Sequence, residues 1–170
     1  ARLLPDGSLD PSFGLQGGWT PDDDTRVELS AIHSEAQAAY ADRMMDEAWA
    51  AATEGHGEAP AELSLMGRKV KVPRASGGAA RFTFADLCDE PLGARDYLAI
   101  ADHYDTIFID AVPVLEQARR NPAKRFILLI DTLYDQHKRL VVSAEAAPDR
   151  LYAGGTGVTE AFEFTRTASR

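Results

Sequence analysis

The chain has 170 residues, 45% of them hydrophobic and 26% charged, with a formal net charge of −9. That length supports one compact domain with a core, and the acidity argues against general binding to a phosphate backbone or adsorption to an anionic membrane. The one cysteine, Cys88, excludes an internal disulfide and suits a reducing compartment, and no apolar run approaches membrane-spanning length.

The first residues, Ala1 to Thr25, carry no initiating Met and no hydrophobic signal core. The chain stops at Arg170 inside a segment patterned like an ordered one, so a piece of a longer polypeptide is expected. Pro5-Asp6-Gly7, Gly17-Gly18 and Pro21-Asp22-Asp23-Asp24 favour turns and leave little to bury. Residues 1–28 therefore read as a linker or loop, and residues 29–170 as the folded region.

Ser34 and Gln37 have capping-box spacing. Tyr40, Met44 and Ala48, with Met45 and Trp49 beside them, then predict an amphipathic helix over 35–52, ended by Gly55 and Gly57. From Ala61 to Phe84 the period changes to two: Leu63 and Leu65, Val70 and Val72, Phe82 and Phe84 alternate with polar residues. Turns at Met66-Gly67 and Gly77-Gly78 make this a small antiparallel meander with one wet face.

The second half predicts a helix over 94–101, a buried strand over 106–110, a helix from Asn121 as N-cap to about Gln136, and a buried strand over 140–144. Two apolar strands joined by a helix form a βαβ unit, whose crossover is expected to be right-handed. Pro148 to Tyr152 reads as a helical turn and Gly154 to Gly157 as a loop. The fold class is thus α/β: short parallel strands in a βαβ unit, an antiparallel meander and flanking helices.

Ligands collect at the C-terminal ends of parallel strands, which here carry Asp110, Ser143 and Glu145. An acid after an apolar strand suits a Mg²⁺ site facing phosphates. Ala111 follows Asp110, however, where a second acid would position water, and a lone strand-end aspartate also serves as turn chemistry. Neither Gly154–Gly157 nor Gly77-Gly78 is followed by the Lys-Ser/Thr of a phosphate-cradling loop, and both read as connections. The four histidines, His33, His56, His103 and His137, have no zinc-ligand spacing, and Cys88 reads as a buried small hydrophobe. No Gly-x-Ser-x-Gly elbow is present. Arg119, Arg120, Lys124 and Arg125 crowd a helix start where the dipole disfavours cations, which suggests an anionic partner, nearby acids or a solvated face. Arg166 and Arg170 share a helix side by their spacing and suit either a nucleotide or structural ion pairs.

Six segments in order, Phe84–Cys88, Arg95–Ala101, Thr106–Pro113, Ala123–Asp131, Leu140–Ala146 and Phe162–Arg170, resemble the C-terminal third of the ZapE family of P-loop ATPases, bacterial cell-division proteins with mitochondrial relatives. The resemblance covers the chain from about Leu29 to its end. It implies an AAA+-like ATPase that uses ATP and Mg²⁺ in full length, with its nucleotide-cradling segments upstream and no nucleotide bound by this region alone. It implies a cytoplasmic protein, peripheral to the inner membrane at the division site, with its own upstream ATPase core and the tubulin-like division protein FtsZ as partners. Nucleic acid and membrane insertion are not expected. Arg166, Arg170 and Arg125 are the nucleotide-proximal candidates. Two rival readings stand beside it: a non-catalytic module binding a division-ring filament, and a small Mg²⁺-dependent enzyme using Asp110 and Glu145.

Overall fold

A computed structural model describes residues 27–31, 35–65, 67–155 and 159–168. In chain order its elements are β1 (Val27–Ala31), α1 (Glu35–Thr53), β2 (Ala59–Leu65), β3 (Arg68–Ser76), β4 (Ala79–Thr83), α2 (Ala94–His103), β5 (Thr106–Val112), β6 (Leu115–Glu116), α3 (Arg120–Asp135), β7 (Arg139–Ala144), β8 (Tyr152–Ala153) and α4 (Thr159–Thr167). A π-helical turn covers Ala85–Asp89, and 3-10 turns cover Gln117–Arg119 and Pro148–Arg150.

The expected meander and the expected βαβ unit belong to one six-stranded sheet of order β1-β7-β5-β4-β3-β2. Strands β1, β7, β5 and β4 run parallel, whereas β4, β3 and β2 are antiparallel. The junction is β4, which closes the meander and pairs in parallel with β5 from Ala79 opposite Thr106 to Thr83 opposite Asp110. β6 and β8 form a separate two-stranded parallel ribbon. Gly67 and Gly77 turn the two hairpins at φ +92° and +57°, a region open to glycine and costly for other residues.

Sequence period follows which faces are covered. β3 alternates, with Val70 and Val72 buried and Lys69 and Lys71 exposed, as an antiparallel strand with one wet face must. β5 and β7 are buried almost end to end, because helices cover both sides of them. Ile107 and Ile109 enter the main core with Tyr97 and Ile100 of α2, Phe126, Leu129, Ile130 and Leu133 of α3, and Phe164 of α4. Phe108, between them, points the other way and meets Met45 and Trp49 of α1, with Ala79 and Val141.

Several local readings change. β1 begins inside the stretch read as linker, while residues 1–26 lie outside the described residues. Asn121 is inside α3 and does not cap it: the 3-10 turn Gln117–Arg119 leads into the helix, and Arg119 makes no side-chain cap. Pro122 is still tolerated, since the first turn has no intrahelical partners for its N–H groups. Ser34, read as the cap of α1, lies outside the described residues.

Candidate functional site

The parallel strands bring Thr83, Asp110 to Val112 and Ala144 to one rim of the sheet. The register between β5 and β7 shifts between Ile109 and Val112, and Ala111 takes φ +57°. A left-handed conformation costs a non-glycine residue of order 1–3 kcal/mol, and it sits here at a bulge beside the rim. The Ala111 N–H, freed from the ladder, donates to Ser143 Oγ at 2.9 Å. Glu145 Oε2 accepts the N–H of Val114 at 2.8 Å, and the Glu145 N–H donates to the Val112 carbonyl at 2.9 Å. Ser143 therefore holds the bulge at the end of β5, and Glu145 holds the backbone that follows it.

Asp110 is brought to Arg81, not to Glu145. Arg81 Nε donates to Asp110 Oδ2 at 2.6 Å and Nη2 to Oδ1 at 3.0 Å, a bidentate fork. Its Nη1 donates to Asp46 Oδ1 of α1 at 2.5 Å. The Arg81 side chain is 6% exposed. Burial opposes its charge, but the hydrogen bonds and charges of Asp110 and then Asp46 outweigh it, and the guanidinium stays above its ordinary pKa. In this geometry the two acids of the small Mg²⁺ enzyme reading, Asp110 and Glu145, have separate partners. Arg81 occupies both oxygens of Asp110, and Glu145 is bonded to the chain after β5. Among the described residues no group of three or more His, Cys, Asp or Glu is placed to hold a metal.

Two of the crowded cations at the start of α3, Arg119 and Arg125, face the π-helical turn. Arg125 Nη1 donates to the Cys88 carbonyl at 2.9 Å, and Arg119 lies 3.6 Å from Asp89. The carbonyl end of that turn and its aspartate supply the negative charge that the α3 dipole does not. Arg125 thus joins two elements. Cys88 is fully buried, and burial first, then Asp89, pushes its thiol far above the usual range; it is the small hydrophobe its surroundings require. Tyr97 Oη donates to the Leu87 carbonyl at 2.9 Å, closing the same turn onto α2.

Arg166 projects from the last turn of α4, 56% exposed, and its Nη2 donates to Asp131 Oδ2 of α3 at 2.8 Å. Arg170 lies outside the described residues, as do Thr156, Gly157 and His33. Gly77-Gly78 is the β3–β4 turn. Gly154 sits under the Tyr152 ring, where a Cβ would collide with the phenol. His56 and His103 bond through Nδ1 to the Thr53 and Ala99 carbonyls at 2.6 and 2.8 Å.

Sequence reading missed Arg81, Asp46 and Asp131. Arg81 alone carried a signal: it stands between Ala80 and Phe82 in a short strand, where a buried charge needs a partner.

The AFG1-like ATPase family model matches residues 24–170. The chain is 45% identical over 96 residues to Lactation elevated protein 1 homolog B of Danio rerio, covering 56% of this chain and 19% of that protein. It is 42% identical over 91 residues to an uncharacterised protein of Schizosaccharomyces pombe, covering 54% and 20%. To Cell division protein ZapE of Escherichia coli K12 it is 32% identical over 142 residues, covering 84% and 36%. The chain thus spans between about a fifth and about a third of the length of these relatives. No solved structure matches it significantly.

Proposed function

The chain belongs to the AFG1-like ATPase family, and on that premise we propose that it is the C-terminal α/β region of a longer ATPase, which it completes or regulates. Binding and hydrolysis of ATP with Mg²⁺ take place on segments upstream of residues 29–170. The observation that carries this reading is that family sequence matches residues 24–170 while no stretch of the 170 residues reads Gly-x-x-x-x-Gly-Lys-Ser/Thr. A phosphate cradle needs that loop. Arg166, half-exposed on α4, is the candidate for reaching a nucleotide, with Arg170 four residues further along the sequence. Catalysis of phosphoryl transfer rests on positioning and charge, which an arginine from an accessory region can supply.

The proposed role in cell division is supported by likeness to Cell division protein ZapE. The proposed setting is cytoplasmic, at the inner face of the membrane, with the tubulin-like division protein FtsZ as partner. Among the described residues no helix is long and apolar enough to cross a membrane.

The test is ATP turnover by the full-length protein carrying Arg166→Ala and Arg170→Ala. At least a tenfold fall is expected, and unchanged turnover sinks the reading. A second reading, a non-catalytic filament-binding module, draws on the exposed face of β3 that carries Lys69 and Lys71. Recovery of the filament by residues 1–170 alone supports it, and binding only when the ATPase core is present counts against it.

A further inference from the structure

We propose that Asp131 is the positioning residue that aims Arg166, an inference that rests on the function proposed above. Asp131 lies on α3, and its side chain is only 21% exposed, against 56% for Arg166. The carboxylate is sheltered and the guanidinium is open. Arg166 Nη2 donates to Oδ2 at 2.8 Å. The neighbouring Thr167 Oγ1, which donates to the Glu163 carbonyl at 3.1 Å, lies 3.5 Å from Oδ1. The two oxygens of one acid therefore meet two successive residues of the last α4 turn.

The base beneath this contact is firm. Phe164, two residues before Arg166, is buried between the rings of Phe126 on α3 and Tyr152, with centroids 6.3 and 5.6 Å away. At about 100° per residue, Ala161, Phe164 and Thr165 share one side of α4, and Arg166 stands on roughly the opposite side. Stacking fixes the helix and Asp131 fixes the side chain. Among the described residues the guanidinium meets Asp131 through Nη2, and more than half of the Arg166 side chain is exposed. An ion pair this exposed adds little to stability, so the main consequence of the contact is where the remaining N–H groups point. A small misplacement of a charge that meets a transferring phosphoryl group is costly in rate.

The experiment compares Asp131→Asn, Arg166→Ala and the double variant in the full-length ATPase, reading kcat and KM for ATP with a melting curve for each. Asp131→Asn is expected to lower kcat roughly tenfold with little change in KM or melting temperature, because an amide on the same arm loses the charged grip. The double variant is expected to be no slower than Arg166→Ala. Additive losses, or full kcat in Asp131→Asn beside a slow Arg166→Ala, overturn the positioning role and leave the function standing. Full kcat in Arg166→Ala overturns the positioning role and leaves the function to rest on Arg170. If Asp131→Asn does not fold, Asp131→Glu keeps the charge on a longer arm; reduced kcat in it supports the proposal, and full kcat overturns it.

Discussion

Arg81 shows what a single buried charge demands. It stands in β4 among apolar neighbours, and two acids from different elements converge on it, Asp110 from β5 and Asp46 from α1. Removing one partner of a buried pair leaves the other charged and poorly solvated. Asp110→Ala is therefore expected to destabilise the fold toward the lower end of roughly 3–5 kcal/mol, since Asp46 still faces Arg81. Urea unfolding of the variant measures this, and a midpoint equal to that of the parent chain contradicts the assignment. Asp110 was recognisable as an acid at a strand end. Its use was not, because the partner that takes both its oxygens lies 29 residues earlier, and only the parallel pairing of β4 with β5 places the two side by side.

At the scale of an element, α1 is held by a small core and a polar latch. Trp49 meets Phe108 edge to face at 5.2 Å, a geometry worth about 0.5–1.5 kcal/mol beyond area alone. Its indole Nε1 donates to Glu58 Oε2 at 2.8 Å. Arg74 binds Glu58 through Nε and Nη2 at 2.6 and 2.9 Å and lies over the Trp49 ring at 5.3 Å. The Arg74 hydrogen bonds first, then that of Trp49, hold the Glu58 carboxyl below its ordinary value of 4.5. A carboxylate lowered on folding contributes stability above its unfolded pKa and loses it as pH falls through the lowered folded value. Emission of Trp49, followed in a Trp19→Phe background, is therefore expected to stay constant from neutral pH to about 4.5 and to shift below it. In Glu58→Gln that acid shift is expected to be absent; an identical shift in both proteins rules out the latch. The helix itself was legible from its apolar spacing, whereas Glu58 and Arg74, on the chain that follows, gave no sign of returning to it.

For the whole molecule, one sheet serves two coverings. Its parallel half lies between helices, and its β2–β3 edge keeps a wet face. The rim where Asp110, Ser143 and Glu145 collect is closed by its own hydrogen bonds. Residues 1–170 alone are accordingly expected not to bind ATP in calorimetry with Mg²⁺ present. Clear binding would relocate the nucleotide chemistry into this region and displace the reading of an accessory part.

The sequence by itself determined the element types and most of their positions, because period and burial are linked: alternation marks a strand with one wet face, continuous apolar runs mark strands covered twice, and 3.6-residue spacing marks α1 and α3. It determined the family as well, since six segments kept their order. Only the tertiary structure decided that the meander and the βαβ unit are one sheet, that β1 joins it at the far edge, and which charges meet. Those outcomes depend on contacts between residues far apart in the chain, and no local pattern encodes a partner. Arg125 and Arg166 look alike as sequence, yet one is tied to the Cys88 carbonyl and the other stands half in solvent against Asp131, because the packing of α3 and α4 sets the environment of each.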